Sequence, residues 1–226
     1  MRVLIASDIP IEEQGPGARS LSLAVGLDGA GHAVRMIDVG PAGVVSRRIG
    51  MRRVIAAPDN PRAELTFDAP HFGVRPTLGR RFTELSDDEL STFRSTLRRA
   101  LDAEIDDFDP QIVHCQQVWI MAHLALESGA PYVVTALREE LAEFEFDSRY
   151  QRLAAEAAEN ASRVIVADAA LAAEVQSRFG DLEGRVAIVP GLPEDPAQSL
   201  DEACVAELTG LYATVLDERL GRRWRA

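Results

Sequence analysis

The chain contains no lysine, and all 24 of its basic residues are arginine. A Walker phosphate loop needs a lysine after its glycines, so this class of nucleotide site is excluded. Cysteine is also scarce. The two that occur, Cys115 and Cys204, give neither a disulfide framework nor the spacing of a metal site. We therefore expect no metal in this protein.

Long apolar runs are missing as well. No stretch approaches the ~20 apolar residues that a membrane-spanning helix needs. Residues 1–8 are too short and too soon interrupted by polar residues to be a signal peptide. The sequence therefore predicts a cytoplasmic protein without a membrane span.

Acidic residues outnumber basic ones, 36 against 24, which gives a net charge of −12. Most of the excess lies in residues 101–226, which hold 24 acidic residues against 10 arginines. A surface of this sign repels phosphate backbones, so we expect no nucleic acid partner. The acidic half instead suits a complementary, basic protein, and we expect either a protein partner or a homo-oligomer.

Short apolar strands alternate with amphipathic helices along the chain. Strands are predicted at residues 2–7, 33–39, 111–114, 131–135, 163–166 and 186–189, with two weaker ones at 53–56 and 64–67. Helices are predicted near 18–28, 87–106, 118–127, from the strand at 131–135 to about 161, at 168–179 and at 201–220. This alternation predicts an α/β fold: a single Rossmann-like, doubly wound, mostly parallel sheet with helices on both faces.

Three regions follow from this pattern. Residues 1–192 form the predicted Rossmann-like domain, residues 193–200 a linker, and residues 201–226 a helix and tail that return to the domain. The returning helix carries an apolar stripe and therefore needs a surface to cover. Residues 40–85 are the least regular part, and an irregular stretch of this length is usually functional.

Six segments together resemble the N-terminal half of family-4 glycosyltransferases of the GT-B fold. They are residues 15–20 (GPGARS), 30–34 (AGHAV), 108–114 (FDPQIVH), 129–135 (GAPYVVT), 160–167 (NASRVIVA) and 185–191 (RVAIVPG). In that family the N-terminal domain binds the acceptor and the C-terminal domain holds the nucleotide-sugar donor. The final helix of the family then folds back onto the N-terminal domain. The resemblance implies an acceptor-binding domain that lacks its donor domain, with residues 201–220 similar to the returning helix.

The loop before the first helix is the first candidate site. Gly15 and Gly17 allow the backbone to approach a substrate, and the N-terminus of the following helix favours anions. Arg19 would then pair with a phosphate or carboxylate on the acceptor. The alternative is a tight turn with an arginine that faces solvent.

The strand ends supply the other candidates. His114 ends a strand and points toward the cleft edge in this interpretation, with Gln117 and Trp119 after it. The alternative for His114 is a hydrogen-bonded, partly buried residue without a role. The resemblance adds Thr135, Arg138 and Glu139 to the acceptor-binding candidates.

One position departs from the family pattern. Leu137 stands where the family has a histidine near the reacting sugar, and Arg138 stands where the family has glycine. Leucine neither donates a hydrogen bond nor transfers a proton. Replacement acid or base groups are available among Glu139, Glu140, Glu143 and Glu145, but these are more typical of a solvated acidic helix face.

Three functions are compatible with these residues. The first is an acceptor-binding half-domain that is inactive alone and completed by a donor-binding partner chain, so that a nucleotide sugar binds only with that partner. The second is a non-catalytic binding or regulatory subunit derived from a glycosyltransferase. The third is a stand-alone enzyme that uses another small nucleotide or phosphate ligand, and the missing phosphate-loop fingerprints argue against it. The acceptor would be a small molecule or a glycan.

Overall fold

The computed structural model describes residues 1–11, 17–43, 48–71, 80–143, 148–180, 182, 184–193 and 198–223. In this part of the chain seven strands form one sheet in the order β3-β2-β1-β4-β5-β6-β7. The strands are β1 (Arg2–Ala6), β2 (Ala33–Gly40), β3 (Gly50–Ile55), β4 (Ile112–Cys115), β5 (Tyr132–Thr135), β6 (Val164–Val166) and β7 (Val186–Ile188). Every adjacent pair is parallel, so the expected doubly wound α/β fold is confirmed.

Helices connect the strands and cover both faces of the sheet. They are α1 (Ala18–Gly29), α2 (Asp87–Phe108), α3 (Ile120–Ser128), α4 (Arg138–Glu143), α5 (Ser148–Asn160), α6 (Ala169–Phe179) and α7 (Glu202–Arg223). The long helix α2 begins at a capping box in which Ser86 and Glu89 bond reciprocally to each other's backbone N–H groups. It ends at Asp109, whose φ of 47° breaks the helix just before Pro110.

The order of the strands reverses at the centre of the sheet. From β1 the chain moves to β2 and β3 on one side, and α2 then carries it back to β4 on the other side of β1. Ala6 of β1 therefore lies opposite Ile37 of β2 and Cys115 of β4. Open parallel sheets bind ligands beyond the carboxyl ends of the strands at such a reversal, so this edge positions the candidate site.

Three predicted elements were wrong in part. The strand expected at residues 64–67 is only an isolated bridge between Ala56 and Leu65, and β3 covers Gly50–Ile55 instead of 53–56. Pairing with β2 explains the earlier start of β3, since Gly50 lies opposite Arg35 in the register. The single helix expected after β5 is two, α4 and α5. Arg138 of α4 donates to Glu174 of α6, whereas Tyr150 of α5 packs against Trp119.

A buried ion pair fixes the chain after β1. Asp38 of β2 is fully buried, and Arg53 of β3 donates to it over 2.9 Å. The same two side chains hold Ile11, whose N–H donates to Asp38 over 2.6 Å and whose carbonyl accepts from Arg53 over 2.7 Å. Buried charges persist in proteins when they are paired in this way. The arginine-rich part of residues 40–85 thus contributes to the position of the β1 loop.

Two apolar clusters fill the space on the two faces of the sheet. One contains side chains of α2, α3, α5 and α6. The other contains side chains of α1 and α7, and here Leu208, Tyr212 and Val215 of α7 share a cluster with Ile112 of β4 and Val133 of β5. The predicted return of the last helix onto the domain is therefore confirmed.

The segment that leads into α7 is tied to α1. Arg19 donates to the Pro193 carbonyl over 3.0 Å, and the Ser22 hydroxyl accepts from the Leu200 N–H over 2.9 Å. The two helices also approach closely at Gly26, where an added Cβ would lie 2.7 Å from a methyl carbon of Val205. Contact between α1 and α7 therefore depends on a glycine.

We predict that Gly26→Ala destabilises the protein by about 1–3 kcal/mol, because the added methyl group overlaps Val205 and overpacks the interface. Gly29→Ala in the same helix is the matched control, since nothing lies within 4 Å of its Cβ position. Alanine is favoured over glycine in helices by roughly 0.5–1 kcal/mol, so the control should be neutral or stabilising. Denaturant unfolding measures both variants, and an equal gain for the two would contradict the α1–α7 contact.

Candidate functional site

The candidate site is the carboxyl edge of the sheet at the β1–β4 reversal. Ser7 and Asp8 follow β1 here, and Gln116 and Gln117 follow β4. The Gln117 side-chain oxygen accepts from the Asp8 N–H over 3.1 Å and from the Ser7 hydroxyl over 3.4 Å. Gln117, a predicted acceptor-binding residue, therefore links the two central loops.

Asp8 is a buried carboxyl group at the start of α3. One of its oxygens accepts from the Met121 N–H over 2.9 Å, in the first turn of the helix, where the helix dipole favours negative charge. Burial nevertheless raises the pKa of Asp8 well above its ordinary value. The second oxygen of Asp8 and the side-chain nitrogen of Gln116 are both buried, and neither bonds to any residue that the structure describes. An unmet buried polar atom costs about 1–3 kcal/mol.

Glu140 is the second buried carboxyl group, so its assignment to a solvated acidic face was wrong. It accepts from the Leu137 N–H over 2.9 Å and from the Val118 N–H over 3.1 Å to each oxygen. It thereby joins the turn after β5 to the turn after β4. Burial raises its pKa to about 8, although the two backbone hydrogen bonds oppose the shift.

A sequence signal for Glu140 was available. Leu137 directly precedes α4, and Glu140 is the third residue of that helix. Glutamate at this position commonly reaches back to the backbone N–H of the residue before the helix, as in a capping box. A capping box has Ser or Thr before the helix, whereas this chain has Leu137, so the sequence does not match the full pattern.

His114 is held inside the domain. Its Nε2 lies 2.7 Å from the Thr135 hydroxyl and its Nδ1 lies 2.5 Å from the Tyr212 hydroxyl. Burial lowers the pKa of His114 to about 3, so the ring is neutral at physiological pH. Both ring nitrogens, and the predicted site residue Thr135, thus serve to connect the sheet to α7.

Both candidate arginines make internal bonds at this edge. Arg19 is almost fully buried and donates to Pro193, as described above. Arg138 donates to both oxygens of Asp168 over 2.9 and 3.1 Å and to Glu174 over 3.4 Å. Asp168 also caps α6 by accepting from the Leu171 N–H over 2.8 Å, so this ion pair has a structural role.

The other candidates are placed as follows. Trp119 is buried between Phe82 and Tyr150, with ring centroids 5.2 and 4.0 Å apart, and belongs to the core. Gly17 is buried at the N-terminus of α1, and Glu139 is exposed on α4. Gly15 lies outside the described residues. Leu137, at the family's histidine position, is buried.

The described part of this edge therefore contains amide groups and protonatable carboxyl groups. Asp8, Gln117 and Glu140 meet around the start of α3, whereas His114 and Thr135 lie toward α7. No group of three or more histidine, cysteine or acidic side chains among the described residues is arranged to hold a metal ion. Within the same residues, no helix is both long and apolar enough to cross a bilayer.

We predict that Glu140→Gln makes the protein less sensitive to alkaline pH. The carboxyl group has a raised pKa in the folded state, so its contribution to stability is complete below its ordinary value of 4.5 and is lost as the pH rises toward 8. The variant should gain about 2–5 kcal/mol over the parent between pH 5 and pH 8.5, since one pKa unit is 1.36 kcal/mol. Urea unfolding across this range measures the difference.

Glu139→Gln is the control for this experiment, because Glu139 is the exposed neighbour in the same helix. Its stability difference from the parent should stay constant over the same pH range. A constant difference for Glu140→Gln as well would contradict the buried, ionisable state of Glu140.

Comparison with known proteins agrees with this geometry. The family model of the glycosyl transferase 4-like domain matches residues 14–191. No curated protein matches the chain in sequence. Among solved structures, a sucrose-phosphate synthase chain from Thermosynechococcus elongatus has a TM-score of 0.57 at 14% identity, with 95% of this chain and 99% of that chain covered.

Longer chains are matched only over part of their length. A second sucrose-phosphate synthase chain from the same organism gives a TM-score of 0.59 at 15% identity, with 84% of this chain and 48% of that chain covered. A lipopolysaccharide outer core galactosyltransferase gives 0.52 at 9% identity, with 84% and 46% covered. This chain thus spans about half the length of these two proteins, and the likeness concerns the fold alone. On the match over residues 14–191, the chain belongs to the glycosyl transferase 4-like domain family.

Proposed function

We propose that this chain is the acceptor-side domain of a glycosyltransferase, inactive alone and completed by a donor-binding partner chain. The main support is the short connection between β7 and α7. In the family that the sequence resembles, the donor domain lies between these two elements. Here residues 189–201 alone separate them. Such a domain needs its nucleotide-sugar donor delivered by another polypeptide.

Two further observations support this proposal. The described residues form one sheet, and two of the solved chains with this fold are about twice as long as the part they share with it. One of these longer chains is a sucrose-phosphate synthase and the other is a galactosyltransferase, so both names denote sugar chemistry. The proposal places the acceptor at the β1–β4 edge and the protein in the cytoplasm.

A second candidate is a non-catalytic binding or regulatory subunit. It is favoured by the turn after β5, where Leu137 is buried and its N–H is bonded to Glu140. A family histidine that contacts the reacting sugar would have to leave this packed position. Under this candidate the edge binds a ligand or a protein without transferring a sugar.

The proposal predicts that the isolated chain binds no nucleotide sugar. Calorimetry with UDP-sugars and GDP-sugars should give no measurable heat. Transfer should appear only when a donor-domain chain encoded near this one in its genome is added. Tight donor binding or turnover by the isolated chain would refute the partner requirement, and lack of turnover in the completed mixture would favour the non-catalytic candidate.

We further predict that Leu137→His raises the transfer rate of the completed mixture at least tenfold. A hydrogen bond made in the transition state is typically worth ~10²–10³ in rate, and histidine restores a donor at this position. Leu137→Met is the control, since it preserves the volume and adds no donor. An equal rate for the two variants would argue that this turn lies away from the reacting sugar.

A further inference from the structure

We infer that the acceptor bound at this edge is an uncharged, hydroxyl-rich sugar instead of a phosphorylated or carboxylated one. This inference rests on the proposed function, because it specifies the acceptor of the same site. It follows from the charges and hydrogen bonds of the side chains around the ends of β1, β4, β5 and β6. It also replaces the expectation that Arg19 binds an acceptor phosphate or carboxylate.

The first step concerns Arg138, which begins α4 three residues after the end of β5. Its Nη1 donates to Glu174, and its Nη2 donates to both oxygens of Asp168. A phosphate would have to compete with two carboxylates for this guanidinium. Arginine that is already bonded to acidic side chains offers little additional attraction to an anion.

The second step concerns Arg19 and His114. Arg19 is almost fully buried and its Nη1 donates to the Pro193 carbonyl, so the guanidinium is directed toward the connection to α7. His114 is fully buried and bonded at both nitrogens, to Thr135 and Tyr212. Arg19, which the sequence offered for an anionic acceptor, and the acceptor-binding candidates Arg138 and His114 therefore all make internal bonds.

The third step concerns the groups that remain. Asp8 and Glu140 are fully buried carboxyl groups, and both keep their proton more readily than ordinary acids. The charged and titratable groups near them are Arg19 and Cys115, besides each other. An anion that left water at this place would lose its hydration beside two carboxyl groups, which is an expensive exchange. The guanidinium of Arg19, the cation near Glu140, donates to the Pro193 carbonyl.

The fourth step concerns two of the buried polar atoms with unmet hydrogen bonds, those at the ends of β1 and β4. The second oxygen of Asp8 and the side-chain nitrogen of Gln116 belong to residues that directly follow β1 and β4. A carboxyl oxygen and an amide N–H are best met by a group that both donates and accepts. A sugar hydroxyl does both, whereas a phosphate dianion only accepts.

The inference is tested with matched pairs of probes: glucose with glucose 6-phosphate, fructose with fructose 6-phosphate, and inositol with inositol 1-phosphate. Saturation-transfer NMR on the full chain gives the Kd of each probe. We expect the uncharged member to bind at least tenfold more tightly in every pair that binds. Tighter binding of the phosphorylated members would overturn the inference and leave the acceptor domain intact, whereas no binding of any probe would overturn the acceptor domain too.

Two variants make the test specific. Asp168→Asn keeps an oxygen to cap α6 but removes one of the two carboxylate charges that hold Arg138, so glucose 6-phosphate should bind about fivefold more tightly while glucose is unchanged. Asp109→Asn is the matched control, because it releases Arg2 at the opposite edge of the sheet and should change neither Kd. Equal effects of the two variants would contradict the role given to Arg138.

A third variant tests the unmet hydrogen bonds directly. Gln116→Met preserves the shape of the side chain and removes its N–H donor. The Kd of the tightest uncharged probe should weaken about tenfold, while the thermal midpoint of unfolding should stay the same or rise. An unchanged Kd would exclude Gln116 from the acceptor site.

Discussion

Burial of the second face of the parallel sheet is the constraint on which this structure depends. A parallel sheet is stable only when both of its faces are covered. The helices that follow β3, β4, β5 and β6 pack on one face of the sheet. Helix α1, which follows β1, packs on the other face. Helix α7 covers the remaining area, with Leu208 and Tyr212 packed in one cluster with Ile112 and Val133. The last helix is therefore part of the core of the domain.

The same helix affects the candidate site through one hydrogen-bonded chain. Tyr212 of α7 bonds to His114, and His114 bonds to Thr135. These two bonds fix the ends of β4 and β5 from the sheet face that α7 covers. Glu140 fixes the turns that follow these two strands by accepting from the N–H groups of Val118 and Leu137. His114, Thr135 and Glu140 thus hold the ends of the strands and the turns after them in place. Under the proposed function, this edge binds the acceptor, and the partner chain supplies the donor.

Sequence reasoning identified the fold because short, mostly apolar runs alternate with amphipathic helical segments along the chain. It also placed the return of α7 correctly, since an apolar stripe has to be covered. It misjudged Glu140, because neither composition nor period distinguishes a buried carboxyl group from a solvated one. It likewise missed the pairing of Arg138 with Asp168, which are 30 residues apart and meet only when α4 and α6 pack. Local pattern determines elements, whereas long-range contacts determine which charges are free.

Native-state hydrogen exchange tests the central claim most directly, because it gives a free energy of opening for each amide. If α7 is part of the core, the amides of Leu208 and Tyr212 should open only with the whole domain. They should then share one free energy with Val113 of β4 and Val133 of β5, and the values should fall together in denaturant. Free exchange of α7 while β4 and β5 remain protected would contradict the account, since the sheet would then be stable without its last helix.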